Sequence, residues 1–305
     1  MSHHHQHSPD VSQLSGRKIF WVTLLNAVIT IAEFIGGLIS GSLALLSDSL
    51  HNLSDTVAIA LSYFAHKIAQ KPQNYRKTFG YKRAEIIAAF INSSLLLVIS
   101  SFLIIEAIKR FYNPEPIDGN LMIAVALIGL LANLFSVYLL QKDAHSNINI
   151  KSSYLHLIGD TVSSVGVVGG GLAIKFWQIT WIDPLVTLLI AFYIIKEGWK
   201  ILKQTIDVLM QSAPHLDYEK IKSSVENISG VKNIHHVHAW TIDENLIHFE
   251  AHIDLNDMLL SEAEKIYEQI THILQTEHKI DHVTLQAEVD SCQDKQMINP
   301  GKTIS

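Results

Sequence analysis

Four side chains stand out for the chemistry their types and spacing allow. His51 and Asp55 lie four residues apart in SLHNLSD, and His156 and Asp160 repeat that spacing in YLHLIGD. On an α-helix residues i and i+4 share a face, so each pair presents an imidazole nitrogen and a carboxylate oxygen in one direction. Both pairs fall inside long apolar runs. At a bilayer centre an ionised side chain costs at least ~2.5–3.5 kcal/mol, so such groups turn inward and find partners. Two helices that face each other would supply an N2O2 set of four ligands, which suits a tetrahedral ion, zinc above all. Thiolates, which would favour copper(I), are missing from the set, and so is the all-oxygen shell that suits magnesium or manganese. A single His-x-x-x-Asp is weak evidence, since a lone histidine on an apolar helix is more often a core residue. The duplicate at equal spacing, again inside a span, favours metal.

The electrostatics of such a cage suggest a use for it. A divalent cation between two carboxylates is locally neutral. Without the cation, two like charges share a low-dielectric site, and uptake of protons relieves them. Metal ligands bind deprotonated, so metal entry releases protons. A site of this kind exchanges metal for protons if both faces can open. A closed set of four protein ligands argues against hydrolysis, because catalytic zinc keeps a position for water. His-Glu-x-x-His does not occur. Asp48 extends the stripe of His51 and Asp55, and Glu33 sits in the preceding span; both are expected beside the ligands or in a proton relay. Asn26, Asn92 and Asn133 are expected to hydrogen-bond between helices, and Gly166, Gly169, Gly170 and Gly171 to let helices approach closely.

The elements that must position these residues are membrane helices. Mean hydropathy is positive, and charged residues are only 17% of the 305, against about a quarter in soluble domains. Six apolar stretches are long enough to span, near 18–39, 43–64, 85–108, 121–140, 154–176 and 184–199. Lys and Arg in the connections number thirteen on one side and three on the other. That bias places both termini in the cytoplasm. From Asp207 the chain turns soluble and reads α-β-β-α-β: helices over 216–228 and 261–276, strands over 231–242, 246–255 and 282–289. The fold class is therefore an α-helical membrane protein, with six transmembrane helices followed by a cytoplasmic ferredoxin-like α+β domain. Residues 1–16 form an N-terminal arm, 17–206 the transmembrane domain, 207–291 the cytoplasmic domain and 292–305 a disordered tail. The net charge of −6 argues against nucleic acid as a partner, and the one cysteine, Cys292, excludes an internal disulfide.

Longer motifs carry a resemblance. SLALLSDSLHNLSD (42–55), FGYKRAE (79–85), NINIKSSYLHLIGD (147–160), VLMQSAP (208–214) and VKNIHHVHAWTI (231–242) occur in the order found in the cation diffusion facilitator family. The resemblance covers nearly the whole chain, to about Glu288. It implies a homodimeric exporter of Zn2+, with Cd2+ or Co2+ still open, driven by inward proton flow, in a membrane expected to be the bacterial inner membrane. Its transport-site ligands correspond to His51, Asp55, His156 and Asp160. The His-plus-Asp second helix is similar to the zinc-preferring branch. A further metal site, common after the second helix, is expected to be missing here, since the loop 66–80 offers only His66. The family's regulatory zinc on the cytoplasmic domain corresponds to His235, His252, His282 and Glu288. Strand alternation puts His236 and His238 on the face opposite His235, and His238 and Trp240 read as packing residues. His3, His4, His5 and His7 read either as a zinc-collecting arm or as an interrupted tag. Arg83 and Glu85 mark the cytoplasmic boundary and are expected to form an ion pair at the subunit junction. Two other classes compete with export: a membrane metal sensor with a structural zinc, and an intramembrane enzyme.

Overall fold

The computed structural model describes residues 11–141, 148–243, 246–290 and 296–298. Six long helices come first: α1 (Val11–Ser40), α2 (Leu43–Ala69), α3 (Ala84–Tyr112), α4 (Gly119–Leu140), α5 (Ile148–Trp177) and α6 (Ile182–Leu209). Then follow α7 (Tyr218–Glu226), β1 (Val231–Thr241), β2 (Ile247–Leu255), α8 (Leu260–His278) and β3 (His282–Glu288). The chain forms two compact units, one of residues 1–64 and 88–202, the other of 65–87 and 203–305.

The first unit is inside-out relative to a soluble protein. Ile31, Ile35, Phe102, Leu131, Val162 and Phe192 are exposed, while Glu33, Asp48, Asn52, Asn133, Asp160 and Asp183 are buried. That distribution fits a bundle whose outer solvent is hydrocarbon and whose polar groups satisfy one another. Among the described residues, α3, α4 and 154–177 of α5 are long and apolar enough to cross a membrane on their own. α2 carries Asp48, His51, Asn52 and Asp55, and α6 carries Lys196, Glu197 and Lys200, which dilute their apolar content. Helices α1 and α6 also outrun the apolar stretches read from sequence: α1 starts at Val11 and α6 runs on to Leu209.

Corners and crossings fix the bundle. Gly41 turns the chain between α1 and α2 at φ +74°, a left-handed conformation that glycine adopts freely. Its carbonyl accepts from the Arg110 guanidinium of α3, which also pairs with Glu115 at 2.9 Å. Asn133 of α4 donates to Ser164 of α5 at 3.3 Å, as expected for an interhelical asparagine. Of the four glycines expected to let helices approach, Gly171 is the one that packs tightly, since a Cβ there would lie 2.8 Å from Ile123; at Gly169 it would meet nothing.

In the second unit β2 is the central strand, antiparallel to β1 and parallel to β3. α7 and α8 pack on this sheet around Ile221, Ile234, Phe249, Ile253, Ile270 and Leu274. Asp217 caps α7 by accepting from Lys220 N at 3.2 Å, satisfying an otherwise orphaned donor. The strand bounds agree with the sequence reading within one residue, and residues 244–245, between β1 and β2, lie outside the described residues. Of the tail expected to be disordered, 296–298 are described and sit against β1. Gln296 and Met297 carbonyls accept from His236 N (3.3 Å) and Val237 N (2.8 Å). Within this one chain Glu85 meets His66 Nδ1 at 2.7 Å, with Gln70 on the other ring nitrogen at 2.9 Å.

Candidate metal centres

The intramembrane cluster is built from the start of α2. Asp183 of α6 accepts from Ser42 Oγ (2.5 Å), Leu43 N (2.9 Å) and Ala44 N (3.2 Å). The two N–H groups belong to the first turn of α2 and have no partner within the helix; Ser42 stands just before it. One turn on, Asp48 accepts from Ser163 Oγ (2.5 Å) and Ser164 Oγ (3.3 Å) of α5. These bonds fix α2 against α6 and α5 at the level just before His51.

The four chemistry-bearing side chains then meet. His51 Nε2 lies 3.6 Å from Asp55 Oδ2 and 3.6 Å from Asp160 Oδ1. His156 Nε2 lies 3.1 Å from Asp55 Oδ2 and 3.6 Å from Asp160 Oδ2. Zinc bonds of 2.0–2.1 Å at the tetrahedral angle give ligand–ligand edges of about 3.3 Å, and these four separations straddle that value. Atoms of His51, His156 and Asp160 also lie within 4.8 Å of one another. Asp55 joins through its contacts to both imidazoles. His51 Nδ1 and Asp160 Oδ2 are buried and make no hydrogen bond, although buried polar atoms nearly always have a partner. A cavity of about 400 Å³ adjoins the cluster, lined by His51, Gly159, Asp160 and Ser163 with Val186 and Tyr193 of α6.

The two other candidates differ in their reach. Asp48 touches α5 directly, as above. Glu33 of α1 is buried and accepts from Asn52 Nδ2 at 3.4 Å, so it connects to the cluster through the residue next to His51. It lies against α4, where a Cβ on Gly129 would fall 1.8 Å from its Oε1. Asn52, Ser163, Ser164, Tyr193 and Asp183 were not assigned from sequence. Ser163 and Ser164 could have been, since they follow Asp160 by three and four residues and so share its helix face.

A second cluster lies on the sheet of the other unit. His252 Nδ1 is 2.7 Å from Glu288 Oε1, and His235 Nε2 is 3.3 Å from Glu288 Oε2. His235 pairs with His252 across β1 and β2, and Glu288 of β3 lies opposite Asp254. His282 does not belong to this cluster. It stands at the other end of β3, six residues from Glu288 or about 20 Å at strand rise. There its ring lies 4.6 Å from that of His248. Burial pushes the His248 imidazole below its ordinary pKa, and His282 adds to this. The alternation expected for β1 also fails at His236. The register shifts between His235 and His238, and His236 takes φ +50°. This bulge stacks the His236 ring on His252, 4.6 Å apart and 13° from parallel. His3, His4, His5 and His7 lie outside the described residues.

Comparison with known proteins follows this two-part plan. Residues 19–210 match the model of the cation efflux transmembrane domain, and residues 213–290 that of the cation efflux protein, cytoplasmic domain. The chain is 40% identical over 266 residues to the cadmium, cobalt and zinc/H(+)-K(+) antiporter of Bacillus subtilis, covering 86% of this chain and 85% of that protein. It is 35% identical over 299 residues to zinc transporter ZitB of Pectobacterium atrosepticum, covering 96% and 91%. It is 33% identical over 288 residues to the metal cation efflux system protein CzcD of Cupriavidus metallidurans, covering 94% and 91%. A transmembrane helical unit, a cytoplasmic αβ unit and two family models in sequence place this chain in the cation efflux, or cation diffusion facilitator, family of membrane transporters.

Proposed function

We propose that this protein exports Zn2+ from the cytoplasm in exchange for protons, and that His51, Asp55, His156 and Asp160 hold the ion in transit. The observation that carries this reading is a set of four nitrogen–oxygen separations of 3.1–3.6 Å, two of them within α2 and α5 and two between the helices, at the scale of a tetrahedral zinc shell. The names of the relatives support zinc as cargo, with cadmium and cobalt beside it, and support antiport. Six spans with both termini in the cytoplasm fit the lysine and arginine bias of the loops. The bacterial inner membrane fits the organisms of the relatives. Asp48 holds α5 beside the ligands, and Glu33 with Asn52 lies on a proton path to them.

The cytoplasmic domain, 207–291, is ferredoxin-like in this reading and joins two copies into a homodimer, as the dimer-domain match suggests. His235, His252 and Glu288 form its regulatory zinc site, and His282 stands outside it. Zinc titration of the full chain carrying Asp160→Ala, which isolates this site, is expected to weaken about 10- to 100-fold or more with His252→Ala and to be unchanged with His282→Ala. An equal loss in both variants would count against the assignment.

The test of export is direct. In vesicles holding a zinc-sensitive dye and an imposed pH gradient, zinc uptake is expected to follow the gradient and to stop when it is collapsed. Tight zinc binding with no flux under any gradient would make the protein a metal sensor. For metal choice, His51→Asp converts the site to one nitrogen and three oxygens, a harder set. Uptake of Mn2+ relative to Zn2+ is expected to rise severalfold, and an unchanged ratio would remove His51 as the selector.

A further inference from the structure

The connection between α2 and α3 carries a feature that metal transport does not use. Residues 65–87 belong to the same compact unit as the cytoplasmic domain. Within that unit a cavity of about 440 Å³ is lined by Arg76, Lys77, Lys82 and Arg83 of the loop and by Gln211 and Trp240. Among the described residues, none of these four cations has a carboxylate at ion-pair distance. The nearby Glu85 is engaged by His66, and Lys77 lies over the Tyr81 ring, 5.6 Å from its centre.

The loop is built rather than slack. Asn74 Oδ1 accepts from Arg76 N (2.9 Å) and Lys77 N (3.0 Å), and Asn74 Nδ2 donates to the Tyr81 hydroxyl at 2.9 Å. Gly80 N donates to Lys77 O at 2.9 Å, with Gly80 at φ +73°, a conformation that a side chain would strain. The Phe79 ring rests on His248, 5.1 Å between centres. A loop held this way keeps four like charges around one cavity, an arrangement that repels itself until an anion enters.

We propose that this cavity binds the phosphate of an anionic phospholipid in the cytoplasm-facing leaflet. Two observations favour lipid over free phosphate. The cavity sits at the start of α3, a helix long and apolar enough to cross a membrane, which puts it at headgroup depth. Exposed apolar side chains, Phe79 at 58% and Ile87 at 47%, stand among the cations, where glycerol and the upper acyl chain cover them and a free phosphate leaves them wet. Basic pockets beside membrane helices on the cytoplasmic side recognise such headgroups by charge.

The test is native mass spectrometry of the full chain with equimolar short-chain phosphatidylglycerol and phosphatidylcholine of identical tails. The wild type is expected to retain phosphatidylglycerol roughly tenfold over phosphatidylcholine. R76Q/K77Q/K82Q/R83Q is expected to lose that preference, and the milder R76Q/K77Q, at two exposed loop positions, to lose part of it. K196Q/K200Q/K203Q removes three cations of α6 that do not line the cavity and is expected to keep the preference. Full preference in both loop variants, or an equal loss in the α6 variant, would overturn the site. Displacement of the lipid by inorganic phosphate at matching concentration would overturn the lipid assignment. None of these readouts depends on zinc export.

Discussion

Asp160→Ala is expected to abolish zinc flux in reconstituted vesicles, by more than about a hundredfold, while leaving the metal-free fold little changed. Loss of a partner one shell out from a metal already costs about 10–100-fold, and loss of a ligand costs at least that. Asp160 is 3% exposed and lies 3.6 Å from both imidazoles through its two oxygens. Asp160 Oδ2 makes no hydrogen bond, so loss of that oxygen strands no donor. A signature follows that misfolding would not mimic. Zinc at a hundred times its Kd raises wild-type stability by about 2.7 kcal/mol. With the cytoplasmic site removed by His252→Ala, that increment is expected to vanish in the Asp160→Ala background while the metal-free melting temperature stays. A lower metal-free melting temperature with zinc stabilisation retained would assign Asp160 to packing.

Asp183→Ala is expected to have the largest structural effect. Its carboxylate satisfies a hydroxyl and two backbone N–H groups at the start of α2, all buried. Each buried donor left without a partner costs about 1–3 kcal/mol, and breaking a buried ion pair costs about 3–5 kcal/mol, so a loss of at least about 3 kcal/mol is expected. Asp183→Asn keeps one acceptor and should cost less, and so should Ser42→Ala, which removes the hydroxyl donor and leaves one backbone donor, Leu45 N, without its acceptor. Thermal unfolding in detergent ranks the three. Equal losses for Ser42→Ala and Asp183→Ala would show that the two backbone donors find other partners. Transport should fall in the same order, since α2 carries His51 and Asp55.

The intramembrane cluster was legible because helical periodicity is robust: four residues make one turn wherever the helix goes, and charge inside an apolar run has few explanations. Helix ends were less legible. Apolar content marks what a membrane can hold, and α1 and α6 continue as helices beyond it. The Asp183 cap could not be read, since it joins residues some 140 apart and each looks ordinary alone. On the sheet, alternation failed where it is weakest. A bulge at His236 breaks the period of two, and His282 was grouped with Glu288 by a resemblance that ignored the length of strand between them. His235, His252 and Glu288 meet because β2 lies between β1 and β3, a pairing order that local sequence does not specify.

If one four-ligand site trades zinc for protons, zinc binding must release protons, and this is measured in weakly buffered detergent with His252→Ala removing the cytoplasmic cluster. Ligands bind deprotonated, so at least one proton is expected to be released per zinc bound, increasing as the starting pH is lowered, with no release after Asp160→Ala. Stoichiometric zinc binding with no proton release at any pH would contradict this exchange.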